Sequence, residues 1–93
     1  MLNEKIVDMA DYFLFDTMSL IETIVNEEEP ENSAVTAHKR LKIYIEIMKE
    51  LDEEFEITDV KELILSQGYE DSFYEDFEAK REEEAKYYIG DMD

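Results

Sequence analysis

The chain has 93 residues, 27 of them Asp or Glu against nine Lys or Arg, for a formal charge of -18 at neutral pH. That balance excludes direct binding to nucleic acid or to an anionic membrane, since both need a positive protein surface. It favours a basic macromolecule as partner. No cysteine is present, so no disulfide framework and no thiolate metal site can form.

Apolar content argues for a folded core over a disordered acidic tail, with 44% hydrophobic and 12% aromatic residues. The length suits one domain, 1–93. Met1-Leu2-Asn3-Glu4-Lys5 lacks the features of a signal peptide. No stretch approaches the roughly 20 apolar residues of a membrane span, so a cytoplasmic location is expected. Two glycines and one proline leave little material for hairpin turns. The expected class is all-α.

The first helix is expected from Asn3, as N-cap, to Val25. Ile6, Met9, Ala10, Phe13, Thr17, Leu20, Ile21 and Ile24 recur at helical spacing as its core stripe. Asn26-Glu27-Glu28-Glu29-Pro30 ends it, because acids crowd the negative end of the helix dipole and proline cannot continue the ladder. Asn32 or Ser33 caps a second helix reaching about Glu54, with Ala37, Leu41, Tyr44, Ile45, Met48, Leu51 and Phe55 inward. Its outer face carries the i,i+4 pairs Lys42–Glu46 and Lys49–Glu53. Thr58 starts a short third helix over 59–67, Glu62 falling one position too late for a capping box, and Gly68 ends it. A fourth helix runs from about Glu70 to Ile89, with Tyr69, Phe73, Phe77 and Tyr88 inward. Residues 90–93 form a frayed acidic tail. Three long helices and one short one make a small helical bundle.

Charge is distributed unevenly. Residues 1–31 hold nine acids and one base, residues 32–49 one acid and four bases, and residues 50–93 seventeen acids and four bases. The basic island around Lys39, Arg40 and Lys42 is expected to offset neighbouring acids within the fold. On the fourth helix, Asp71, Glu75, Glu78 and Glu82 are spaced 4, 3, 4 and form a narrow stripe opposite Phe73 and Phe77. Lys80 and Arg81 lie off this stripe and are expected to leave it unneutralised. Successive carboxylates stand about 4.5–6 Å apart along the axis. Eighteen charges correspond to about 30 Å of B-DNA, close to the roughly 33 Å of a 22-residue helix. Glu27, Glu28, Glu29 and Glu31, and then Asp52, Glu53, Glu54 and Glu56, form two further acidic clusters at helix ends.

Catalytic and metal readings find little support. Glu50-x-x-Glu53 and Glu56-x-x-Asp59 have helical carboxylate spacing, but acids this abundant produce it by chance. A calcium loop begun at Asp52 would need glycine where Ile57 stands. His38, the single histidine, borders the apolar face and reads as a core-edge residue. No catalytic residue, metal ligand or cofactor is expected, and the chain is read as no enzyme. Tyr12, Phe15 and Met18 flank the acidic side of the first helix. Either that helix is buried all round, or these residues meet another chain, as in a homodimer.

With its acidic bundle and carboxylate ladder, the chain resembles in character the acidic DNA-mimic inhibitors of phages and mobile elements. These are the Ocr-type anti-restriction proteins and the small anti-CRISPR proteins. Asp59-Val60-Lys61 through Tyr88, a short helix followed by a long acidic one, carries the closest likeness, and the likeness is one of composition, length and helix content. It implies a protein of the bacterial host cytoplasm that docks in the positive cleft of a CRISPR effector or restriction complex and excludes DNA. Asp71, Glu75, Glu78 and Glu82 would stand in for phosphates, aided by Glu27, Glu28, Glu29, Glu53 and Glu54. Two alternatives stand beside it. One is an immunity or antitoxin-like protein on a basic nuclease toxin, since colicin immunity proteins are also small, acidic and four-helical with a short third helix. The other is an acidic adaptor that binds through its aromatic patch.

Overall fold

The longest apolar-periodic segment of the chain becomes α1 (Leu2–Asn26) in the computed structural model, which describes residues 2–26 and 33–87. Ala10, Leu14, Thr17, Met18, Ile21 and Ile24 are its buried positions. Ala10, Leu14, Thr17, Ile21 and Ile24 follow alternating four- and three-residue steps along one seam, with Met18 at its edge. The seam is rotated from the expected one. Leu14 and Met18 turn inward, while Met9 turns out and is 70% exposed. The apolar arc of α1 is wider than one packing seam, and its polar residues gather on the remaining side. Periodicity therefore locates the helix without fixing which part of that arc packs. Asn3 lies within α1 and does not cap it. Thr17 is fully buried, and its hydroxyl donates to the Phe13 carbonyl at 2.8 Å, so the polar atom costs the core little.

Ser33 is the N-cap of α2 (Ala34–Leu51), its hydroxyl accepting from the Thr36 N–H at 3.1 Å. Ala37, Leu41, Tyr44, Ile45 and Met48 are buried as expected. The helix stops at Leu51, short of Glu54, because Asp52 turns extended and its side chain accepts from the Glu54 N–H at 2.9 Å. In the connection that follows, Phe55 and Ile57 still pack on the core, and Phe55 meets the Tyr44 ring edge-on at 6.2 Å.

Asp59, rather than Thr58, caps α3 (Val60–Ser66), accepting from the Glu62 N–H at 2.8 Å. Glu62 is therefore the third helical residue. It closes a variant of the capping box by accepting from the Thr58 N–H at 3.2 Å. Gly68 follows with φ of +94°, a conformation that only glycine adopts without strain. The last helix, α4 (Asp71–Tyr87), is shorter than expected; Tyr88, Ile89 and the 90–93 tail lie outside the described residues.

The described residues form an all-α helical bundle. The pair α1 and α2 makes the most extensive contact, α4 packs on both, and α3 touches α2 and α4. Phe77 of α4 is fully buried in the common core, with Phe73 and Tyr74 packed on its margin. Burial of a side chain that size contributes about 1.5–3 kcal/mol.

Two polar contacts fasten α4 to the ends of its neighbours. The Lys80 ammonium donates to the Ile24 carbonyl at 2.5 Å, at the negative end of α1. The Glu84 carboxylate accepts from the Ser33 hydroxyl and from the Ala34 N–H, the latter at 2.7 Å, at the positive end of α2. No helix of the described residues is long and apolar enough to cross a membrane.

Candidate partner-binding surface

Because Phe73 and Phe77 anchor α4 by one side, the opposite side faces outward. Asp71, Glu75 and Glu82 are exposed there, with no hydrogen-bond or ion-pair partner among the described residues. Glu78 departs from this pattern. Arg81 clasps its carboxylate through two guanidinium hydrogen bonds, the Nε one at 2.9 Å. Arg81 does neutralise part of the stripe, because residues three apart on a helix are neighbours even when one lies to the side. The guanidinium holds the Glu78 carboxyl below the usual carboxylate range, against an opposing effect of partial burial. The free ladder is therefore Asp71, Glu75 and Glu82, with a gap of about 10.5 Å between the last two from the helical rise.

The outward face is also wider than the expected stripe. Asp76 and Glu83 are exposed beside Glu75 and Glu82 and likewise lack partners among the described residues. Five carboxylates thus stand in two rows on the exposed surface of α4, with Lys86 the one base among its exposed residues. A helical projection contains this signal, since positions 76 and 83 are seven apart and share a row about 100° round the helix from Glu75 and Glu82. Glu53 and Glu54 are exposed in the connection after α2, a separate element. Glu27, Glu28, Glu29 and Glu31 lie outside the described residues.

The basic island is split because successive residues of α2 point in different directions. The Arg40 guanidinium lies 5.8 Å from the centre of the Phe13 ring on the α1 side. Lys39 is exposed, and Lys42 borders a cleft on the side of α3 and α4. None of the three pairs with an acid among the described residues, and neither do Lys42–Glu46 and Lys49–Glu53. These cations do not offset neighbouring acids through contact. His38 stacks on Phe77 at 6.4 Å. Burial, with the charges of Arg81 and Lys42, keeps it below the ordinary histidine value, against a smaller opposing pull from Glu78.

Tyr12 and Phe15 are 73% and 70% exposed, whereas Met18 is 5% exposed and belongs to the core. The apolar surface on α1 is instead a ridge of Met9, Tyr12 and Phe15 at three-residue steps. On its α2 side lies an apolar groove of about 370 Å³ that reaches Ile43, itself 46% exposed. On its other side Tyr69 donates to the Glu22 carboxylate; burial first, then that bond and charge, push the phenol up to about 12. Among the described residues no three acidic or histidine side chains converge to hold a metal ion. Comparison with protein-family models, curated proteins and solved structures returns no match.

Proposed function

We propose that this protein is an acidic DNA-mimic inhibitor. It occupies the positively charged nucleic-acid cleft of a host defence enzyme, a CRISPR effector or restriction complex, and blocks DNA binding. The observation that carries the reading is the outward face of α4, where Asp71, Glu75, Asp76, Glu82 and Glu83 are exposed and unpaired among the described residues. Five unpaired carboxylates outweigh Arg81, which is tied to Glu78, and the exposed Lys86, so the surface keeps a net negative field for a cationic partner. Glu53 and Glu54 add charge from the connection after α2. The molecule extends 43 Å along its longest axis. A duplex of that length carries about 25 phosphates, against a net -18 here. The resemblance is therefore to one charged face of DNA rather than to a whole duplex.

The test is competition. A panel of basic nucleic-acid enzymes is mixed with the protein and challenged with duplex DNA. Inhibition should fall with added DNA and with added salt, since exposed ion pairs are screened. Reversing Asp71, Glu75 and Glu82 to Lys should abolish inhibition while the helical circular dichroism stays unchanged. Unaltered inhibition by that triple variant would remove α4 from the mechanism.

A second reading has its own observation, the exposed ridge of Met9, Tyr12 and Phe15. Contiguous exposed apolar side chains mark contact surfaces. An adaptor or a homodimer bound through this ridge would lose its partner in a Tyr12→Ser, Phe15→Ser variant that leaves α4 intact. The immunity-like alternative predicts tight binding to a basic nuclease toxin and no competition by DNA held away from that toxin's own site.

A further inference from the structure

Cations are scarce in this chain, yet several of them meet at one place. A cleft of about 460 Å³ opens between α2, the start of α3 and α4. Lys42 and Lys49 border it from α2, and Lys61 borders it from α3. None of the three has an ion-pair partner among the described residues. Their pairing would have been easy in a protein with three times as many acids as bases. The ammonium of Lys61 instead lies 5.8 Å from the centre of the Tyr74 ring, and His38 lines the same cleft.

Two carboxylates also border it. Asp59 is committed to the Glu62 N–H as the cap of α3. Glu46 is exposed and has no partner among the described residues. Glu78, Glu82 and Arg81 of α4 also act on the lining residues Tyr74 and His38, so the cleft is of mixed charge. Its distinguishing feature is the three ammonium groups that no carboxylate ties up by direct contact among the described residues.

From this geometry we infer a binding site for a small phosphorylated ligand that carries a ring, of the nucleoside phosphate class. The volume lies within the range of small-molecule sites, about 300–1,000 Å³. Lys42, Lys49 and Lys61 supply charge-assisted donors to phosphate oxygens. Ile45, Val60 and the Tyr74 ring provide an apolar wall for the base. Glu46 offers an acceptor for sugar hydroxyls, a role that bare inorganic phosphate would leave unused. One wall of the cleft is Tyr74 of α4, so the site adjoins the acidic face, while its ligand is distinct from that face's proposed partner.

The test uses the full chain and three probes at constant ionic strength: adenosine diphosphate, inorganic pyrophosphate and adenosine. Binding is read by isothermal titration calorimetry. Adenosine diphosphate should bind saturably and one to one, tighter than pyrophosphate, with adenosine weakest. Lys42→Gln and Lys61→Gln should each weaken it about tenfold, while Lys5→Gln on α1 leaves it unchanged. These lysines are exposed or border solvent, so the variants should fold, and circular dichroism checks that they do. Absence of saturable binding by adenosine diphosphate overturns the site. Equal binding of pyrophosphate overturns the nucleoside class, and equal weakening by Lys5→Gln shows charge attraction without a site.

Discussion

Removing the Glu84 carboxylate should destabilise the bundle far more than an acid on a net -18 protein would be expected to. General electrostatics points the other way, since deleting one negative charge relieves self-repulsion. Glu84 is partly buried, and it accepts from the Ser33 hydroxyl and from the backbone N–H of buried Ala34. In Glu84→Ala the Ala34 N–H loses its partner, which costs about 1–3 kcal/mol. Loss of a carboxylate at the N-terminus of α2 adds about 0.3–1 kcal/mol, and the better helix propensity of Ala returns a few tenths. The expected net is about 2–3 kcal/mol out of a total near 5–14 kcal/mol for a chain this size. Urea unfolding followed by circular dichroism should show a midpoint about 2 M lower, for a slope of 1–1.5 kcal/mol/M. Glu84→Gln keeps an acceptor and should lose about 1 kcal/mol. In a double-mutant cycle, Ser33→Ala and Glu84→Ala should couple by about 1 kcal/mol. A Glu84→Ala protein within about 0.5 kcal/mol of the parent, or strict additivity with Ser33→Ala, would refute the clasp.

Arg81→Gln should raise the Glu78 carboxyl and also raise His38, since the guanidinium lowers both in the parent; side-chain NMR titration reads each. A histidine held below 6.5 contributes stability above that pH and loses it as pH falls through its folded value, so the acid sensitivity that His38 confers should shrink in this variant. Tyr69, pushed up to about 12, favours its protonated form in the fold, so its contribution is complete below pH 10 and lost as pH climbs from 10 through 12. Tyr69→Phe should therefore show a flatter loss of stability over that window, and an unchanged profile would show that the fold does not hold the Tyr69 phenol up. Met18→Ala should cost about 2–5 kcal/mol in urea unfolding, whereas Phe15→Ser should stay within about 0.5 kcal/mol; the reverse order would mean that the α1 seam is mis-phased.

Helix existence and class were legible because they follow from local chemistry. Few glycines and prolines, four apolar-periodic runs, Ser33 before α2 and Gly68 after α3 act within a few residues of where they stand. The charge total and the carboxylates on the far side of α4 from Phe77 were equally open to reading, since 3.6-residue periodicity alone places them. Some of what was missed was also local. Arg81 lies three residues from Glu78, and Glu62 lies three from Asp59, close enough for helical geometry to pair them.

Other features belonged to the tertiary structure alone. Met9 and Met18 are chemically the same residue on one helix, and only the packing of α2 and α4 on α1 turns one out and the other in. Glu84 reaches Ser33 across 51 positions, Lys80 reaches Ile24 across 56, and Lys61 joins Lys42 and Lys49 at one cleft from a different helix. Periodicity fixes a side chain's direction about its own axis but carries no information on the rotation of one helix against another. That rotation is set by interlocking of side chains distant in the chain, and it determines which charges cancel and which stay free.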